Sequence, residues 1–130
     1  MSAPASPALM IVDDDDDLRN TLADILTREG YQVAAFGDAR AALAALEDGQ
    51  TPFLILLDLM MPGMSGWEFR AAQLESATLA PIPVVLVTAA NTLRNGVHRL
   101  SDLEILHKPF DLDALLAVVD RYHDVARPRS

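Results

Sequence analysis

Five residues of this chain have side chains suited to phosphoryl or metal chemistry, and each sits just beyond an apolar run. Asp13 and Asp14 follow Ala8–Val12, and Asp58 follows Phe53–Leu57. Thr88 follows Val84–Val87, and Lys108 comes soon after Leu103–Leu106. Three carboxylates brought together repel one another and resist ionisation unless a cation relieves them. Magnesium suits such a set, because it prefers oxygen ligands and keeps several waters. A carboxylate is also a competent nucleophile toward phosphorus, forming an acyl phosphate. In that chemistry Asp58 is the candidate nucleophile. Lys108 and the metal would offset phosphoryl charge, and the Thr88 hydroxyl would donate to a phosphoryl oxygen.

This chemistry requires the chain to bring distant positions together. The apolar runs read as buried strands, with Tyr31–Phe36 as a further one. Between them lie helical patterns. Leu18, Leu22, Ile25 and Leu26 recur at helical spacing up to Gly30. Ala39–Glu47 is Ala-rich, with Asp38 as its expected N-cap. A third helix starts near Trp67 and fades before Pro81. Asp111 caps a last one, with Leu112, Leu115, Leu116 and Val119 on one face. Asn91, Asn95 and Gly96 weaken any helix in the segment between Thr88 and Lys108. Strands alternating with helices predict an α/β fold with right-handed crossovers. The expected form is a flavodoxin-like, doubly wound, five-stranded parallel sheet in the order 2-1-3-4-5, with about five helices. Its site lies beyond the carboxyl ends of the strands, at the switch point between strands one and three. All five residues fall there.

Composition narrows the alternatives. The chain has 130 residues, enough for one domain, with hydrophobic residues at 51% and aromatics at 5%, so the core is expected to be aliphatic. We read residues 1–7 as a disordered lead, 8–124 as the domain and 125–130 as a short basic tail. Cysteine is absent, which excludes disulfides and thiolate metal sites and fits a reducing cytoplasm. No apolar run approaches the ~20 residues that span a bilayer, so no membrane partner is expected. The net charge of −9 disfavours direct nucleic-acid binding.

The residues resemble a known family, the receiver domains of bacterial two-component response regulators. The resemblance rests on Ile11-Val12-Asp13-Asp14, on Leu57-Asp58 through Met61-Pro62-Gly63-Met64-Ser65-Gly66, on Val87-Thr88-Ala89 and on Lys108-Pro109-Phe110. These segments occur in order over roughly Leu9 to Tyr122. The resemblance implies that Asp58 accepts a phosphoryl group from a histidine of a sensor kinase or phosphotransfer protein, and that a downstream protein reads the result. It implies that Asp13, Asp14 and Asp58 hold Mg2+ with the backbone carbonyl of Met60, and that the Lys108–Pro109 bond is cis. Three residues before Lys108, where the family often has an aromatic switch, this chain has Ile105. The resemblance also implies that Met60 and Ala90, two residues after Asp58 and Thr88, border the path of the hydrolytic water. Neither side chain can orient water, so slow self-dephosphorylation is expected.

Bland readings compete with several of these. Asp13–Asp17 is a run of acids, and such runs are more often solvated helix starts than metal sites. We divide it into Asp13 and Asp14 as ligands, Asp16 or Asp17 as helix cap, and Asp15 facing solvent. His98, His107 and His123 lack ligand spacing and are read as surface or packing residues, and Trp67 as packing. A second function class is a magnesium-dependent phosphatase of the haloacid dehalogenase type, with Asp13 and Asp15 as its nucleophile pair. That reading leaves Asp58 without a role. A third is a receiver-like scaffold that binds partners without phosphorylation.

Overall fold

The continuous apolar runs become strands flanked on both sides and covered on both faces. A computed structural model describes residues 8–59, 61–89, 104–108 and 111–126. In chain order its elements are β1 (Ala8–Val12), α1 (Asp16–Arg28), β2 (Gln32–Phe36), α2 (Ala39–Glu47), β3 (Leu54–Leu57), α3 (Gly66–Leu74), β4 (Val84–Ala89), β5 (Glu104–Lys108) and α4 (Leu112–Ala126). The sheet order is β2-β1-β3-β4-β5, and every neighbouring pair is parallel. This is the expected flavodoxin-like arrangement. Four helices lie among the described residues. The weak helical stretch expected between Thr88 and Lys108 falls in 90–103, outside those residues.

Alternating strand residues face opposite layers. On one face Met10, Val12, Ile55, Leu57 and Leu86 pack with Leu46 of α2 and Phe69 of α3. On the other, Leu9, Ile11, Leu54, Leu56, Val85 and Val87 pack with Leu22 and Leu26 of α1 and Leu115 and Val119 of α4. Trp67 packs against the first layer, as expected. His123 packs edge-on against Tyr31 and Phe53, with ring centres 5.2 and 5.1 Å apart.

Two strands extend beyond the sequence reading. β4 carries Thr88 as part of the strand instead of ending before it, because Thr88 pairs with His107 and Ala89 with Lys108. β5 likewise runs through Lys108. It is an edge strand with only β4 beside it, so its polar residues do not interrupt it.

Helix starts are set by side-chain caps. Asp38 Oδ1 accepts from the Arg40 and Ala41 N–H groups at 2.7 and 3.2 Å. Ser65 and Glu68 form a capping box, starting α3 one residue earlier than expected. Asp111 marks the start of α4, its carbonyl accepting from the Leu115 N–H at 3.1 Å.

The cap of α1 corrects the sequence reading. Asp15, rather than Asp16 or Asp17, takes an extended backbone and accepts from the Leu18 N–H at 3.1 Å. Asp16 and Asp17 lie in the first turn, where they favour the helix dipole. Asp15→Ala is therefore expected to lower stability by about 1 kcal/mol. The loss should shrink at low salt, where removing one of several crowded negative charges helps. Urea unfolding with an unchanged m value checks this.

Candidate functional site

The ends of β1, β3 and β5 meet at the carboxyl edge of the sheet. Asp13 directly follows β1, and its N–H donates to Phe36 O at 3.0 Å. Asp58 directly follows β3, and its N–H donates to Val12 O at 2.9 Å. The Asp58 backbone is thus tied to β1, and the Asp13 backbone to β2, at the points where their acids emerge. Both residues are buried, Asp13 at 2% and Asp58 at 6% exposure. Asp14 is exposed beside them.

Lys108 reaches into this cluster from the end of β5. Its Nζ lies 3.0 Å from Asp13 Oδ2 and 3.7 Å from Asp58 Oδ2. Asp13 Oδ1 accepts from the Asp15 N–H at 2.9 Å. Burial pushes the Lys108 ammonium toward losing its proton. The bond to Asp13 and the charges of Asp58, Asp13 and Asp15 oppose this, and the balance lies above the ordinary lysine value. A raised folded value means the pairing is fully present through neutral pH and is lost only as pH climbs past that value.

One carboxylate oxygen from each of Asp13, Asp14 and Asp58 lies within 4.8 Å of the others. All are hard oxygen donors, and one ammonium does not offset three carboxylates. The residues therefore fit a hard divalent cation. Thr88 sits on the neighbouring strand one residue before the partner of Lys108; its side chain lies outside the described residues. Met60, Ala90 and Pro109, with the expected carbonyl ligand and cis bond, lie outside them too. Ile105 is half-buried and packs against the layer that includes Met10 and Leu86.

Two residues shape the site that the sequence reading did not single out. Gly66, at the start of α3, passes so close to the Asp58–Leu59 backbone that a Cβ there would lie 2.5 Å from Asp58 O and 2.8 Å from Leu59 Cα. Its N–H donates to Leu59 O at 3.0 Å. Arg19 of α1 donates from Nη1 to Asp13 O at 2.7 Å. The only sequence signal for Arg19 was its spacing from Asp16, three residues earlier.

The chain belongs to the response regulator receiver domain family, whose model matches residues 9–120. Among curated relatives, it is 36% identical over 113 residues to the transcriptional regulatory protein PcoR of Escherichia coli, covering 85% of this chain and 49% of that protein. The chain thus spans about half the length of PcoR, and it spans a smaller share of several other relatives. A CheY-like receiver domain protein from Methanospirillum hungatei superposes with a TM-score of 0.80 at 28% identity, covering 96% of this chain and 100% of that one. The response regulator TrrA of Thermotoga maritima, solved in complex with Mg(2+)-BeF, superposes with a TM-score of 0.76 at 27% identity, covering 89% and 98%.

These matches make the chain a receiver domain of two-component response regulators, a signalling domain. They lend no support to the haloacid dehalogenase reading. The geometry is also against it, since the Asp15 carboxylate is engaged in capping α1. Among the described residues, no helix is long and apolar enough to cross a membrane.

Proposed function

We propose that this receiver unit, residues 8–124, takes a phosphoryl group onto Asp58 from the histidine of a sensor kinase or phosphotransfer protein. The observation that carries this is the placement of Asp58, buried at 6% exposure beside Asp13 and 3.7 Å from the Lys108 ammonium. Asp13, Asp14 and Asp58 would hold Mg2+, with the Met60 carbonyl as a further ligand. The ion would supply positive charge at the phosphoryl oxygens. TrrA, the relative solved with Mg(2+)-BeF, supports this choice of metal.

An Asp58 carboxylate oxygen forms the new O–P bond as the N–P bond to the donor imidazole breaks. The bonding pair leaves with the imidazole nitrogen, which takes up a proton from water. Lys108 moves its charge from the carboxylates toward the phosphoryl oxygens, and the Thr88 hydroxyl donates to one of them. Such transfer is mainly positioning and electrostatics. The new charge on Asp58 then biases the loops after β3 and β4, with Ile105 packing as the switch in place of an aromatic ring.

The partners are the phosphodonor and a downstream protein, in the cytoplasm. The net charge of −9 disfavours direct contact with a nucleic-acid backbone. Regulation of transcription is said of the longer relative PcoR. Apart from its own phosphotransfer and slow self-dephosphorylation, we assign the chain no catalysis.

The test is a beryllofluoride titration with magnesium, followed by Trp67 fluorescence and amide NMR. Wild type should respond and Asp58→Asn should not. No response in wild type, or equal responses, would leave the scaffold reading in its place. With Met60 and Ala90 unable to orient water, the phosphoryl group should persist for many minutes once the donor is removed. Decay within seconds in magnesium, followed by release of inorganic phosphate, would contradict that assignment.

A further inference from the structure

The Asp13 backbone is held from two sides. Its N–H is bound by Phe36 O at the end of β2, and its carbonyl by the Arg19 guanidinium. That carbonyl belongs to the planar peptide joining Asp13 to Asp14. Fixing it fixes the plane from which both metal-facing acids project. The other arm of Arg19, Nη2, pairs with Asp16 Oδ1 at 2.6 Å, so the guanidinium is anchored at both ends. The side chain is only 16% exposed, against 79% for Asp16.

The guanidinium lies against Gly37, the residue after β2. A Cβ at Gly37 would stand 2.8 Å from Arg19 Nη1 and 3.2 Å from Cζ. The backbone there is not in the left-handed region, so alanine fits Gly37 conformationally and conflicts only with the arginine.

We propose that Arg19 and Gly37 form a positioning pair that sets the Asp13–Asp14 peptide and so governs how tightly the acidic pocket holds its divalent cation. Neither touches the reacting atoms. The inference rests on the magnesium reading of that pocket. Residues that orient ligands from outside the coordination shell commonly carry a tenfold or larger share of metal affinity. Charge and geometry pull in opposite directions here. Deleting Arg19 makes the neighbourhood more negative, which by itself favours a cation and is weakened by salt. Displacing its fork loosens the ligands. Gly37→Ala separates the two effects, because it keeps the charge and removes the room.

The test is Mg2+ binding to the whole chain by calorimetry, in wild type, Gly37→Ala, Arg19→Ala and the double variant. Thermal midpoints are recorded without metal. Gly37→Ala and Arg19→Ala should each weaken magnesium binding roughly tenfold. The double variant should be no weaker than Arg19→Ala, because the clash has lost its partner. Arg19→Lys, which keeps the charge without the planar fork, should fall between wild type and Arg19→Ala.

Unchanged magnesium affinity in Gly37→Ala overturns the inference, even if its midpoint falls. Tighter, salt-sensitive binding in Arg19→Ala overturns it in favour of a charge effect. Independent losses that multiply in the double variant overturn it as well. A wild type that takes up no magnesium overturns both this inference and the pocket reading. Wild-type binding with unaltered variants overturns this inference alone.

Discussion

Asp58→Asn is expected to take up no phosphoryl group from acetyl phosphate or a phosphohistidine donor, while remaining folded. The amide has nearly the shape of the carboxylate but lacks its nucleophilic oxygen. Asp58 projects from the end of β3, whose residues are all buried, so the substitution leaves the core intact. It also removes one of three crowded carboxylates while Lys108 keeps its 3.0 Å contact with Asp13. Without metal, less repulsion should raise the thermal midpoint by a few degrees at low salt. Mass spectrometry with hydroxylamine treatment checks the chemistry, because an acyl phosphate is cleaved by that reagent. Label persisting in Asp58→Asn and moving to Asp13 would defeat the receiver assignment of the acceptor.

Gly66→Ala should damage stability and phosphorylation together. The added methyl would meet Asp58 O at 2.5 Å and Leu59 Cα at 2.8 Å, both backbone atoms. No side chain can swing aside, so either the first turn of α3 or the Asp58–Leu59 peptide must move. Forced overpacking of this kind costs about 1–3 kcal/mol. A nucleophile displaced by about 1 Å can lose on the order of a hundredfold in rate. Urea unfolding and the initial rate with acetyl phosphate measure the two effects. Gly63→Ala is the contrast: Gly63 has φ +77° and nothing within 4 Å of its Cβ position. Its penalty should be backbone strain with little effect on rate. A Gly66→Ala variant with wild-type rate would show that the close approach does not place Asp58.

A local signal without a competitor fixes an element to the residue. Ala8–Val12 is bounded by acid on one side and matches β1 to the residue. Ala39–Glu47 with its Asp38 cap matches α2 in the same way. Asp13, Asp14, Asp58 and Lys108 were legible because an acid or lysine after an apolar run marks a strand end. The cap of α1 was misassigned because five consecutive aspartates offer five equivalent candidates. Only the helix axis, set by packing of Leu22 and Leu26, selects Asp15. β4 and β5 ran longer than expected because their pairing, not their hydrophobicity, sets their ends. The contacts of Arg19 and Gly66 are not legible for a related reason. What each does depends on a backbone atom distant in sequence, and residue type says nothing of that.

The central position of β3 has a consequence for how a signal leaves the site. β3 is bonded to β1 on one side and β4 on the other, and the Asp58 amide is itself tied to Val12. Amides held this way belong to the last part of a domain to open, exchanging with solvent only when much of the sheet comes apart. The proposed acceptor is therefore mounted on a strand held from both sides. On the proposed reading, a phosphoryl group on Asp58 would therefore act as a new charge at a fixed point rather than through a movement of Asp58 itself.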